Sequence, residues 1–331
     1  MGKNNRMTLK DLAVNFIKKQ ESSIILATLL YMIVVACINP VFISSHNLFN
    51  ILKAMGYTLI TVTGMALVLI TGGLDLSVGS TLALGGIITG MACQAGMPVF
   101  VAIILGIATG MLIGFLNGII IVKAKIPPLI VTLGMQYIVR GAVSVITQGV
   151  PIYPLPKGLT SIDPTKVFGI PLVVIVAIGI AIVGHIVLSN TRFGRSIYAL
   201  GGNEEAARIS GINCKKTKMS VYVITSSLAA LAGIFMASRL GSAEAAVGTG
   251  YEMTTICGAI IGGVSTFGGV GTILGALIGA FFMEVLTNSL TLMRVSVYWQ
   301  NVVVGVVLIV AVLFDQYKRD MIRRSALRMK S

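Results

Sequence analysis

Apolar runs long enough to cross a lipid bilayer recur along this chain, separated by short polar gaps. Crossing ~30 Å of hydrocarbon at ~1.5 Å per helical residue takes about 20 residues. Runs of that order fall near residues 22–42, 48–70, 77–95, 98–122, 128–147, 168–189, 219–237, 252–267, 269–291 and 297–314. The pattern predicts about ten transmembrane helices. The third, eighth and ninth runs are the least regular, and the eighth is short enough to suit a re-entrant segment as well as a full crossing. The first is not read as a cleaved leader: its apolar core from Ile24 to Ile38 is long for a signal peptide, and Asn39-Pro40 is not a small-residue cleavage site. The runs are too long, and alternate too little, for the wall of a β-barrel. The fold class is therefore an all-α polytopic membrane protein.

The polar gaps orient the helices. Nineteen of the 25 lysines and arginines lie in residues 1–21, in the gaps at 123–127 and 190–218, and in the tail from residue 315. With both termini cytoplasmic, ten crossings put all four regions inside, as the positive-inside rule requires. Lys157, Lys166, Arg239 and Arg294 then lie outside, while Lys53 and Arg140 fall within spans. The expected organisation is a cytoplasmic segment 1–21, a transmembrane domain 22–314 with a cytoplasmic loop at 190–218, and a basic cytoplasmic tail 315–331. Composition agrees. Hydrophobic residues make up 56% of the 331 and charged ones only 11%, against ~25% in soluble domains. This excludes a cytosolic enzyme or a disordered chain. The net charge of +14 is accounted for by topology, so no nucleic-acid partner is expected.

Chemistry-bearing residues are sparse. Cys37, Cys93, Cys214 and Cys257 show no paired spacing, and His46 and His185 lack companion ligands, so no metal, disulfide or cofactor is expected. No Walker A pattern appears, so ATP is not bound in that manner. Asp75 and Glu284 are the carboxylates nearest membrane depth. A proton relay needs more than these. Asp75 suits either capping of the next helix or a role in translocation; Glu284 suits the bundle interior or the outer interface. Gly110, Gly114 and Gly118, and Gly271, Gly275 and Gly279, recur at helical spacing as packing seams. The stretches 71–80 and 262–272 combine glycine pairs with hydroxyls and read as broken or sharply turned helices. In the 190–218 gap, Asn203 can cap a short helix with Glu204 and Glu205 in its first turn and Gly211 as its stop. Ala206, Ala207 and Ile209 give that helix an apolar face suited to a partner's groove, with Arg195, Arg208 and Lys215 as rim charges.

Three blocks carry a family resemblance: Gly72-Gly73-Leu74-Asp75-Leu76-Ser77-Val78-Gly79; Gly114-Phe115-Leu116-Asn117-Gly118 running into Ile126-Pro127-Pro128-Leu129-Ile130-Val131-Thr132-Leu133-Gly134; and Thr191-Arg192-Phe193-Gly194-Arg195 through Gly201-Gly202-Asn203 to Ser210-Gly211-Ile212. With the Gly-rich block from Gly258 to Gly279, the chain resembles the integral-membrane permease subunits of bacterial ABC importers for simple sugars, of the ribose, xylose and galactose type. The resemblance implies a permease of the bacterial cytoplasmic membrane that is not itself an enzyme. Its partners would be a separate cytoplasmic ATPase, a periplasmic or lipoprotein-anchored sugar-binding protein, and a second permease copy or paralogue. The cargo would be a monosaccharide, ribose-like, moved by alternating access.

Glu205-Ala206-Ala207-x-x-x-Gly211 resembles the start of the EAA loop of importer permeases, although Lys215-Lys216-Thr217-Lys218 stands where the fuller signature has Leu-Pro. Arg195, Asn203, Glu205, Ala206, Ala207, Ser210 and Gly211 are thereby the expected ATPase-coupling residues. Thr71, Asp75, Ser77, Ser80, Asn117 and Thr132 are candidate lining groups for a wet, weakly binding path, and each is equally suited to a hydrogen bond between helices. Lys157, Arg239, Glu244 and Glu252 are candidate rim charges for docking the binding protein. Two rivals stay open: the same machine for a nucleoside, a furanone-type signal or a branched-chain amino acid, and a channel or carrier that needs no ATPase.

Overall fold

The structure, a computed structural model, describes residues 20–328; residues 1–19, with Lys3, Arg6, Lys10, Lys18 and Lys19, and residues 329–331 lie outside it. The described chain is all-α apart from one two-stranded hairpin. Its helices are α1 (Gln20–Ile38), α2 (Ser45–Ile70), α3 (Val78–Gln94), α4 (Val99–Ala124), α5 (Pro128–Thr147), the single turn α6 (Lys157–Thr160), α7 (Leu172–Asn190), α8 (Arg192–Gly202), α9 (Glu204–Ile209), α10 (Cys214–Leu240), α11 (Tyr251–Ile261), α12 (Ile273–Leu292) and α13 (Val297–Arg328). Seven of them (α2, α4, α5, α7, α10, α12 and α13) are long and apolar enough to cross a membrane, and α1 and α3 are shorter apolar helices. The chain is a multi-pass membrane protein.

Every apolar run predicted from the sequence contains a helix, with boundaries that shift at several ends, including α1, which stops at Ile38 rather than 42, and α12, which starts at Ile273 rather than 269. A hairpin of β1 (Lys166–Val167) and β2 (Ile170–Pro171) precedes α7, so that helix starts four residues later than residue 168. Helix α10 begins at Cys214 rather than 219, because Asn213 caps it by accepting from Lys216 N–H at 3.0 Å. Helix α13 continues past residue 314 without a break to Arg328, so the expected tail 315–331 begins within a helix. The eighth run holds only the short helix α11, preceded by irregular backbone from 241 to 250.

That irregular segment lies inside the bundle. Ala243 pairs with Ile152 in an antiparallel bridge near Gly90, and Gly248 reaches the level of Gly79, so the chain runs back along α3 before α11 begins. Non-helical backbone at membrane depth is tolerated only where protein or water satisfies it. Here Arg140, from α5, supplies the donors. Its guanidinium donates to the carbonyls of Ala245 and of Val247, the latter at 2.8 Å.

The core is built around α2 and α10, with α3, α4 and α7 against them. Lipid gives helices no hydrophobic reason to associate, so close approach and dispersion must do so. The glycine seams provide the approach: Gly110, Gly114 and Gly118 abut the α10 backbone at Ser226, Tyr222 and Met219, and Gly275 and Gly279 abut α11 at Gly262 and Gly258. Helix α13 lies at the edge, with no residue buried along its span, and α1 keeps one face open.

Candidate functional site

The two glycine-rich stretches and the polar arm between α7 and α10 meet at one end of the bundle. Helix α8 starts with Thr191 accepting from Gly194 N–H at 3.1 Å, and Asn203 separates it from α9 by accepting from Ala206 N–H at 2.9 Å. Gly211, at φ +83°, ends the arm. The last turn of α8 is wedged between the end of α2 and the 262–271 turn. Gly269 N–H donates to Ile70 O at 2.8 Å across this contact, and Tyr198 OH donates to Gly271 O at 2.7 Å. Gly201 is required by the approach: a Cβ there would fall 2.5 Å from Gly269 N and closer still to Ile70 O. On its far side the 262–271 turn is tied to α13, where Asp315 Oδ2 accepts from Ser265 Oγ, Thr266 N–H and Thr266 Oγ1, each at 3.0 Å.

Helix α9 divides its apolar residues. Ala207 is buried with Leu200 and Cys214, whereas Ala206 and Ile209 are exposed, as are Glu205 and Ser210 next to them in sequence and Arg195 in the first turn of α8. The expectation of one apolar face through 206, 207 and 209 is corrected accordingly: Ala207 anchors the helix and the other two are presented. Burial also makes Cys214 a packing residue. Glu204 is bound by Lys218 Nζ at 2.7 Å, and Glu205 accepts from Arg208 Nε at 3.1 Å. The hydrogen bonds and charge of Arg208 hold the Glu205 carboxyl below its ordinary range, and Glu205 raises Arg208 in turn.

Just inside this end, the path candidates are brought together but sealed. Asp75 Oδ1 accepts from Ser77 N–H at 2.9 Å and from Ser77 Oγ at 2.6 Å, and Asn117 Nδ2 donates to Ser77 Oγ at 2.9 Å. Ser80 Oγ donates to Ser77 O, and Thr71 Oγ1 to Val68 O. Thr132 Oγ1 and Tyr222 OH both reach Leu74 O at 3.3 Å. Asp75, Ser77, Ser80, Asn117 and Thr132 are each 0% exposed. The cluster thus joins the α2–α3 turn to α4, α5 and α10. Asp75 Oδ2 and Asn117 Oδ1 have no protein partner.

The outer candidates are spread more widely. Lys157 and Arg239 are exposed and Glu244 is half-buried, accepting from Ser242 Oγ at 2.9 Å. Glu252 is not a rim charge. It is buried in the first turn of α11, accepts from Gln136 Nε2 at 3.0 Å and lies in the field of Arg140. Its long-range partners, on α5, left no local mark in the sequence.

Two further clusters escaped sequence reading for the same reason. Lys53 Nζ pairs with Asp163 at 2.9 Å, with Tyr57 OH also donating to Asp163. Glu284, read as suiting the interior or the outer interface, lies in the interior, where it accepts from Thr58 Oγ1 beside Tyr251 OH, which is 2.7 Å from Thr58 Oγ1. The one clue was the polar period of α2, Lys53, Tyr57, Thr58 and Thr61. Among the described residues, no group of His, Cys, Asp and Glu could hold a metal ion.

Residues 47–312 match the family model described as branched-chain amino acid transport system / permease component. The chain belongs to this permease family. It is 40% identical over 306 residues to the ribose import permease protein RbsC of Escherichia coli (strain K12), covering 90% of this chain and 94% of that protein. It is 34% identical over 308 residues to the autoinducer 2 import system permease protein LsrC of Enterobacter sp. (strain 638), covering 93% and 90%. It is 36% identical over 276 residues to the D-allose transport system permease protein AlsC of Escherichia coli (strain K12), covering 83% and 85%. No solved structure matches it. A permease is a conduit and carries no catalytic residues of its own, so the arm at α8–α9 and the sealed junction beneath it are the parts in which its work must be sought.

Proposed function

We propose that this chain is the pore-forming half of an ATP-driven ABC importer of the bacterial cytoplasmic membrane, carrying a ribose-like monosaccharide inward by alternating access. The observation that carries the reading is the wedge of Gly201 between Ile70 and Gly269, which links an exposed docking helix to both glycine-rich turns at once. Ten crossings with cytoplasmic termini put α8 and α9 inside, where a separate ATPase subunit grips Glu205, Ala206, Ile209 and Ser210, with Arg195 at the rim. Ala207 and Asn203 hold the helix to the bundle so that a push on α9 moves α8 as a lever. That movement reaches the 71–77 turn and the 262–271 turn together.

The hydroxyl and amide junction of Asp75, Ser77, Asn117 and Thr132 forms the inner seal. Opening it exposes acceptors and donors suited to passing contacts with sugar hydroxyls. On the outer face Lys157, Arg239 and Glu244 dock an exported binding protein, and a second copy or paralogue completes the pore.

The test is uptake into proteoliposomes containing the permease with its ATPase and binding protein. Labelled ribose should enter only with ATP and both partners, and unlabelled ribose should compete better than allose or a cyclic furanone signal. Ribose entry through the permease alone would overturn the ATP-driven reading, and preferred competition by another cargo would reassign the substrate.

A further inference from the structure

We propose that the groove between α4 and α10 at the α8–α9 end holds an anionic phospholipid of the adjacent leaflet. The groove encloses about 680 Å³ and has two chemically distinct zones. Phe115, Ile119, Val122 and Met219 form its walls, and Lys123, Lys125, Lys215 and Lys216 form its rim. The walls follow from helical spacing: residues 115, 119 and 122 share one face of α4. Phe115 and, a turn away, Leu112 are exposed, so on a membrane-spanning helix the groove would open sideways onto hydrocarbon.

The rim is set by the two polar ends that meet there. Helix α4 terminates at Ala124, with Lys125 in the left-handed region at φ +56°, and α10 starts at Cys214 beneath its Asn213 cap. The positive end of the α10 dipole therefore faces the same rim as the four ammonium groups. Among the described residues, none of these four lysines has a carboxylate partner. Neighbouring cations contrast with them: Lys218 is bound by Glu204 and Arg208 by Glu205. Like charges gathered without counter-charge repel one another, and a phosphate with acyl chains attached satisfies both zones at once. Basic pockets between transmembrane helices at the headgroup level have this chemistry. The proposal rests on the chain's being a membrane permease and not on its cargo or its coupling.

The test uses the full-length permease delipidated in neutral detergent and analysed by native mass spectrometry and thermal melting. Phosphatidylglycerol, phosphatidylcholine and inorganic phosphate are added in separate arms. Phosphatidylglycerol should be retained and should raise the melting temperature, while phosphatidylcholine and free phosphate should do neither. Near a membrane surface each lysine is worth about fivefold in affinity for an anionic lipid. Replacing Lys123, Lys125, Lys215 and Lys216 together by Gln should therefore weaken retention more than about tenfold, and Lys→Arg at the same four positions should preserve it.

A paired control, Lys157→Gln with Lys166→Gln, should leave retention unchanged. If the fourfold Gln variant does not fold, the two doubles, Lys123→Gln/Lys125→Gln and Lys215→Gln/Lys216→Gln, are read instead, each with a smaller loss of the same sign. Equal retention by wild type and the Gln variants would overturn the proposal. So would an equal effect of free phosphate.

Discussion

Replacing Gly201 by alanine tests how force crosses from the arm to the bundle. The new methyl would fall 2.5 Å from Gly269 N and nearer still to Ile70 O, where carbon contacts normally sit at ~3.5–4.0 Å. Three backbones must therefore separate by roughly 1–2 Å, and the 2.8 Å bond from Gly269 N–H to Ile70 O is stretched or lost. Overpacking of this kind costs about 1–3 kcal/mol and the hydrogen bond about 0.5–1.5 kcal/mol, so the wedge destabilises the junction by about 1.5–4.5 kcal/mol. At about 1.4 kcal/mol per tenfold, that biases the docked arrangement by roughly tenfold to a thousandfold. Gly202→Ala is the internal control, because a Cβ on Gly202 meets nothing within 4 Å. The assay is cargo delivered per ATP hydrolysed in proteoliposomes containing the whole importer, read beside the melting temperature of the purified permease. Gly201→Ala should lower delivery per ATP at least tenfold while Gly202→Ala stays near wild type. Equal coupling by two folded variants, or equal damage by both, would refute the reasoning.

Arg140→Gln should lower the melting temperature in detergent by removing charged donors from the carbonyls of Ala245 and Val247, a loss of about 1.5–3 kcal/mol per bond; Arg140→Lys should fall between it and wild type, because one ammonium cannot reproduce the guanidinium fork. An unchanged melt for Arg140→Gln would remove its role in bracing the irregular segment. Asp75→Asn should keep both stability and transport, since only Oδ1 accepts hydrogen bonds from protein, whereas Asp75→Ala should lose about 1–3 kcal/mol through the orphaned Ser77 groups; a stable but inactive Asp75→Asn would assign the charge to translocation. Ser210→Cys should react with an impermeant thiol reagent only from the cytoplasmic side and Lys157→Cys only from outside, and the reverse pattern would invert the topology.

The helices were legible because a bilayer imposes a length on apolar runs that the sequence cannot hide. Ile24–Ile38 or 98–122 need no knowledge of what they touch. The arm was legible for a different reason: Asn203, Glu204, Glu205 and Gly211 are local start and stop signals, and Asn203 caps α9 as that pattern requires. What failed were inferences that needed a distant partner. Glu252 looked like an outer rim charge because it follows a polar loop, yet Gln136 and Arg140 on α5 draw it into the bundle. Ala207 looked like part of a presented face until Leu200 and Cys214 were seen to cover it. The irregular stretch before α11 falls in the gap the sequence leaves between 237 and 252, but its course along α3 was hidden, because the partners that hold it there, Ile152 and Arg140, are distant in sequence.

The central claim is that a separate ATPase drives this conduit by gripping the outward side of α9. Ala206 lies at the middle of that side, exposed, with its backbone held by Asn203, so Ala206→Arg alters the gripped surface without touching the bundle. In the reconstituted importer, cargo-stimulated ATP hydrolysis should disappear in Ala206→Arg while the permease retains its melting temperature. Full stimulation of hydrolysis in the folded variant would contradict the account.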